Sequence, residues 1–450
     1  MQKIADSKTT ARILELIKTL KLILWSNISL NLLYNKIYQI MKRLTFFALV
    51  MVLAVTACEK TEPIAVSGIA FDKTTLNLTI GNSTTLVATI SPDNASNKRI
   101  IWSSSAESVA TVNASGKINA VSVGTTTITA KTTNGESITC EVTVYKMVAG
   151  SKTGLLSWVY TDDGTLIISG EGEMPTYSNN TPQPWIYHRE AIRSVIIEDG
   201  VTTIGQSAFW ECIGLTNITI PNSVTIIGGS AFDNCQKLME ITIPNSVTTI
   251  GGAAFSGCVE LTSITIPNSV TTIGDAAFSG CVELTNITIP NSVTTIGRHA
   301  FWHCGRLTDV TIPNSVTAIG GWAFAFCDEL TSITMSNGVT IIEDMTFAGC
   351  ANLTEVIIPN SVHTIREWAF GGCSGLTSIT IPYGVTTIQV GAFENCENLI
   401  GVTIMAKMPS AIDRRNNFMS NNDTLYVPVG CTTAYRNSTW GELFTTITEQ

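Results

Sequence analysis

"LTSITIPNSVTTIGDAAFSGCVE" occupies Leu261–Glu283, and the 23 residues before it, Leu238–Glu260, repeat it almost letter for letter. The same interval places cysteine at 212, 235, 258, 281, 304, 327, 350, 373 and 396, with phenylalanine always three residues earlier, from Phe209 to Phe393. Isoleucine recurs in step from Ile204 to Ile388. A fixed period without insertion over nine copies predicts a solenoid whose coils stack in register. Within one coil, Ile264 and Ile266 alternate with Ser263 and Thr265, which is a strand with one face inward. Pro267-Asn268 turns the chain, Val270 to Ile273 crosses the opposite side, Gly274 relaxes a corner, and Ala276–Gly280 reads as a short helical turn. One coil buries too little apolar surface to offset its own backbone entropy, so stacking has to supply the difference.

Stacked strands bring equivalent Cα atoms about 4.8 Å apart, which falls within the range a disulfide spans. Three arrangements of the cysteine column therefore compete: a disulfide ladder, a metal stack, or buried thiols. Nine cysteines pair unevenly, and no histidine or carboxylate column accompanies them. The column sits on the inward phase, so buried packing thiols are favoured.

The rest of the composition agrees with a mainly β fold. Only 14% of the 450 residues are charged, and Thr, Ser, Ile, Val and Asn dominate. The formal charge is −9; residues 1–58 hold eight Lys/Arg and two Asp/Glu, so the remainder carries 18 basic against 33 acidic groups. No basic stripe is left to neutralise phosphates, which argues against nucleic acid as a partner.

From Met41 the chain reads "MKRLTFFALVMVLAVTACEK", with Lys42-Arg43, an apolar run from Leu44 to Ala57, and Cys58. The run is too short for a comfortable membrane span and suits a secretory signal. Val55-Thr56-Ala57-Cys58 resembles the lipobox of bacterial lipoproteins, which implies cleavage before Cys58 and lipidation of its thiol. Residues 41–58 are thus expected to be a lipoprotein signal, 59–63 a tether, and 1–40 a start-site overrun. The expected location is the outer membrane of a Gram-negative bacterium, lipid-anchored and exposed at the cell surface.

Residues 64–145 show short alternating strands such as Thr75–Ile80, turn signals at Gly81-Asn82 and Ser115-Gly116, and Trp102. "IIWSSSAESVATVNASGKINAVSVGTTTITA" (Ile100–Ala130) and "CEVTV" (Cys140–Val144) resemble bacterial immunoglobulin-like domains of the second group, which implies a β-sandwich spacer. Trp102 is expected as a buried core plug and Cys140 as a buried thiol.

The repeat itself, L-x-x-I-x-I-P-x-x-V-x-x-I-G-x-x-A-F-x-x-C, resembles the BspA-type leucine-rich repeat over 196–404. Asp163–Gly205 resembles that family's N-terminal cap, placing linker and cap at 146–195, and Leu425–Glu449 resembles its C-terminal cap, within 405–450. The resemblance implies a surface lipoprotein or adhesin that recognises an extracellular or host protein, and it carries no catalytic residues across. The later coils depart from the pattern: Ser336 replaces the turn proline, Thr346 the alanine, and Glu343, Arg366 and Gln389 the corner glycine. These coils are expected to bend differently.

Bulky aromatics mark where copies differ. His299, Trp302, His303, Trp322, Phe326 and Trp368 occupy positions that hold Gly, Ala, Asp or Ser elsewhere. His299 and Trp322 share one column in adjacent coils, His303 and Phe326 another, so these pairs should touch. They are the candidate partner-binding residues, set against simple lateral packing. His299, His303 and Cys304 look like a metal triad on paper, but Cys304 follows its inward column and two histidines are a weak signal. The threonine column Thr219–Thr403 suits a parallel sheet, with glycan binding as the alternative. Asp162-Asp163-Gly164 reads as a hairpin turn. No nucleophile triad, phosphate loop or paired carboxylates appear, so neither an enzyme, a cofactor nor a metal is expected. A monomer is expected.

Overall fold

The computed structural model describes residues 7–23, 37–46, 63–413 and 424–450. Cys58 and its lipobox lie outside the described residues. Among the described residues no helix is long and apolar enough to cross a membrane.

The chain divides into two compact units, one of Met1–Ala70, Thr89–Ile100 and Thr132–Ser137, the other of Phe71–Ala88, Ile101–Lys131 and Ile138–Gln450. In the first, Val66, Ile90 and Ala95 form a small core. The second unit begins with an immunoglobulin-like arrangement. A four-stranded sheet runs in the order Thr75–Thr79, Ser137–Tyr145, Gly124–Thr132, Ile100–Ser104, beside a three-stranded sheet of Ser83–Thr85, Lys117–Ala120 and Ala110–Val112. Leu76, Leu86, Ile118, Ile128 and Val142 make its core. Trp102 packs against that core but is only half-buried. Its ring stacks on Phe71 at 5.6 Å and covers Gly116, where a Cβ would come within 2.8 Å of it. Cys140 is a buried free thiol, and burial, with Asp72 nearby, pushes it up to about 11.

From Met147 onward the architecture is a parallel β-solenoid preceded by an antiparallel hairpin. Met147–Thr153, Leu156–Thr161 and Thr165–Gly170 pair antiparallel. Asp162-Asp163-Gly164 forms the turn between the last two: Gly164 sits at φ 86°, and the Thr161 hydroxyl donates to Asp163 at 2.6 Å. Thr165–Gly170 then pairs parallel with Ser194–Ile197, and the parallel ladder begins. Antiparallel pairing at this end blunts what would otherwise be an open parallel edge. At the other end Thr424–Val427 and Thr446–Glu449 extend the ladder. Two short helices, Thr432–Arg436 and Thr439–Leu443, bury Tyr435 and Trp440 beside it.

Each coil contributes two strands to two parallel stacks. One stack contains Ser263–Thr265, Asn286–Thr288 and their equivalents, paired residue for residue at the 23-residue interval. Ile264 is buried while Ser263 and Thr265 face out, as the alternation predicts. The other stack runs from Gly172–Glu173, paired parallel with Val201–Ile204, to Ala318–Ile319, stops, and restarts at Ile341–Ile342. The interruption coincides with the first corner that carries a side chain. At Gly251, Gly274, Gly297 and Gly320 a Cβ would meet the preceding coil's backbone within 2.5–2.7 Å. These glycines are needed for close approach, not for φ, and Glu343 is the first residue to replace one.

The interior is a set of ladders. Rings from Phe209 to Phe393 stack with centroids 5.2–5.7 Å apart and planes within 18°. Trp185 continues the stack one step beyond Phe209, at 5.9 Å, and anchors itself by donating its indole N–H to the Ala208 carbonyl at 2.9 Å. Every cysteine of the column is free and buried. Each thiol from Cys235 to Cys396 donates to the carbonyl of the phenylalanine in the preceding coil, at 3.2–3.3 Å. A cysteine here is therefore both a small apolar filler and a weak donor to a buried carbonyl. Burial pushes Cys212, Cys304, Cys350 and Cys396 up to about 12; at Cys281, Cys327 and Cys373 neighbouring thiols add to burial and push further in the same direction.

The turn serine is a third ladder that the repeat pattern did not announce. Ser246 and Ser292 donate to the valine carbonyl of the coil before, both at 2.6 Å. In the coil where "PNSV" becomes "SNGV", Gly338 has no hydroxyl, and Ser336 donates instead to Val316 at 2.7 Å. The lost proline and the shifted serine are thus one compensated change.

Candidate functional site

The third side of each coil decides how the candidate residues are presented. Ala276–Gly280 and its equivalents are not helical turns, contrary to the expectation. Ala254 N–H donates to Gly251 and Cys258 N–H to Phe255, closing successive tight turns. Between them Ala253, Phe255 and Gly257 donate outward to Asp275, Ala277 and Ser279 of the next coil at 2.7–2.8 Å. An α-helix would direct those amides along its own axis, whereas this arrangement lets the third side join the inter-coil ladder.

The arrangement requires two left-handed residues per coil. Ser207, Ser230, Ala253, Ala276, His299, Trp322, Met345, Trp368 and Gly391 form one such column, with φ between 51° and 67°. Glu211, Asn234, Gly257, Gly280, His303, Phe326, Gly349, Gly372 and Asn395 form the other, with φ between 56° and 77°. Glycine and asparagine adopt this region at little cost, whereas a bulky side chain there is strained by on the order of 1 kcal/mol or more. Five of the six candidates, His299, His303, Trp322, Phe326 and Trp368, occupy these two columns.

Four of those five, together with Trp302, form one cluster. His299 stacks on Trp322 at 5.6 Å and 16°, and His303 meets Phe326 at 5.9 Å, so the pairs touch as the columns predict. Trp302 sits between them, 5.1 Å from His303 and 6.5 Å from Phe326. Trp368 stands two coils further on, its ring against Gly391, where a Cβ would approach it to 2.8 Å. His303 and Phe326 are exposed; His299, Trp302, Trp322 and Trp368 are half-buried. The Trp302 indole nitrogen is buried and has no hydrogen-bond partner among the described residues. Burial, with Arg298 beside it, lowers His299, and Asp275 opposes. Cys304 points inward, its thiol on the Phe278 carbonyl at 3.2 Å, and does not converge with the histidines.

On the strand face, a shallow groove of about 720 Å³ is lined by Thr288, Thr311, Thr334, Asn291, Asn314 and Asp309 with an apolar wall that includes Ile357. Among the described residues no three His, Cys, Asp or Glu are placed to hold a metal ion.

The 23-residue coils match the description "BspA type Leucine rich repeat region" over residues 185–307 and 294–422, in six copies. The chain belongs to the BspA-type leucine-rich-repeat family. Residues 65–142 of this BspA-type protein also match the group 2 bacterial Ig-like domain. Among solved structures it is similar to a leucine rich cell surface protein of Faecalibacterium prausnitzii, 26% identical, covering 67% of this chain and 95% of that one with TM-score 0.35. A leucine-rich repeat protein of Bacteroides ovatus is 24% identical over 67% of this chain and 99% of its own, with TM-score 0.37. An uncharacterized protein of Clostridium acetobutylicum is 40% identical over 86 residues, 19% of this chain and 9% of that protein. The kappa-carrageenase of Pseudoalteromonas carrageenovora is 45% identical over 71 residues, 16% of this chain and 18% of that enzyme. This BspA-type chain thus spans less than a fifth of these curated relatives, and the carrageenase match falls on the Ig-like region.

Proposed function

We propose that this chain is a non-catalytic recognition protein of the bacterial cell surface that binds an extracellular or host protein through the aromatic cluster on its outer turns. Cys58 carries the lipid that tethers it to the outer membrane, and the Ig-like domain serves as a spacer. One observation carries the reading: the cluster breaks local rules of stability. Four aromatics stand at left-handed positions that most other coils give to Gly, Asn, Ser or Ala, with Glu211, Met345 and Trp368 the exceptions, and Trp302 buries an N–H with no hydrogen-bond partner among the described residues. An unpaired buried donor costs about 1–3 kcal/mol, and mutual ring contacts return about 0.5–1.5 kcal/mol each. Residues that break local rules on an outer face, where the packed interior does not require them, mark surfaces shaped by binding.

The groove lined by threonines and Asp309 favours a second reading, capture of a polysaccharide. Probing the full chain against extracellular-matrix proteins and a glycan array separates the two. Trp302→Ala with Trp322→Ala should abolish protein binding and leave thermal stability nearly intact; a large stability loss would favour simple lateral packing. Protease shaving of intact cells and mass spectrometry of the mature N-terminus test the location and the lipid on Cys58.

A further inference from the structure

A second concavity lies at the start of the solenoid, some four coils from the aromatic cluster. It has a volume of about 390 Å³ and is lined by Asn179, Gln183, Arg189, Ser207, Trp210 and Ser230, among others. That volume sits at the small end of the ~300–1,000 Å³ typical of small-ligand sites.

Its parts are held in place from behind. The Arg189 guanidinium lies over the Trp210 ring, 5.1 Å from the centroid, and is fixed by Glu211 at 2.9 Å. Gln183 is buried, and its side-chain amide donates to the Ser207 carbonyl. Ser207 and Ser230 stand at φ 55° and 51°, left-handed positions that turn the chain here. Two serines, an asparagine, a buried glutamine, an arginine and a tryptophan therefore line one small space.

We propose that this pocket binds a single uncharged sugar residue, a monosaccharide or the terminal unit of a glycan. The charge argues for a neutral ligand: Glu211 cancels Arg189 and would repel an anion, and the other named lining side chains are uncharged. The chemistry argues for a polyol. Guanidinium donors beside serine and asparagine groups, which both donate and accept, match adjacent hydroxyls, and the Trp210 indole, one face of which Arg189 covers, adds apolar lining beside them. The size argues against a folded protein partner. The site is independent of the protein-recognition reading of the cluster.

The test is saturation-transfer NMR on the full chain with methyl glycosides of glucose, galactose, mannose and N-acetylglucosamine, with glucuronate and acetate as anionic controls. At least one neutral glycoside should bind in the millimolar range. Arg189→Gln and Trp210→Ala should each weaken it about tenfold or more, and Trp302→Ala with Trp322→Ala should leave it unchanged. Should Trp210→Ala fail to fold, Arg189→Gln and Asn179→Ala carry the test, since both lie at the pocket rim. The proposal is overturned if no neutral glycoside binds, if glucuronate binds more tightly than the glucoside, or if the pocket variants bind as well as the unaltered chain.

Discussion

The inward and outward columns of the solenoid share one backbone and obey different rules. Inside, Phe, Cys, Ile and Val recur almost without exception, because each residue packs on its own copy one coil away. Outside, the two left-handed columns hold glycine, serine, alanine, asparagine, glutamate, methionine, histidine, phenylalanine and tryptophan. The conformation is kept while the side chain varies. Stacking therefore constrains identity where interior side chains meet their equivalents or where a corner backbone approaches the next coil closely, whereas at the two left-handed columns φ is kept and identity varies.

The largest effect should come from breaking the inner side of that contrast. Phe278→Ala removes a ring stacked between Phe255 and Phe301 and should cost about 3–5 kcal/mol, read as a fall in the denaturant midpoint. Cys281→Ala deletes a buried sulfur and its contact with the Phe255 carbonyl; a loss of about 1–3 kcal/mol is expected. The thiols also set a pH dependence. Their folded values are raised above 9 by burial, so the unfolded chain loses protons first as pH rises. Stability should be level with respect to these groups below pH 9 and fall between pH 9 and about 12, seen by melting at stepped pH.

Smaller effects sharpen the comparison. Ser292→Ala removes one rung of the turn ladder and should cost about 1 kcal/mol. At the outer columns, His303→Gly exchanges a strained imidazole for the residue that suits its φ of 61°. Stability should change by less than about 1 kcal/mol, because relief of strain offsets lost ring contact.

Much of this contrast was legible in the residues. The period, the strand phases, the inward cysteines and the contacts between His299 and Trp322 follow from spacing alone. Ala276-Ala277-Phe278 favours a helical turn by composition, while the deciding signal lies down a column. Asn234, Gly257, Gly280, Gly349, Gly372 and Asn395 share one position, and these are the residue types that tolerate positive φ. The serine ladder is not legible in the repeat, because Asn-Ser after proline reads simply as a turn. The pocket at Arg189 and Trp210 joins residues from the cap and the first coils, and its pairing depends on how the cap folds back.

Thiol labelling tests the stacked interior most directly. With the chain native at pH 8, an alkylating reagent should leave all nine column cysteines unmodified over hours, and in denaturant without reductant all nine should react. Rapid native labelling, or sulfurs that react in denaturant only after reduction, would contradict an interior of sealed, unbridged thiols.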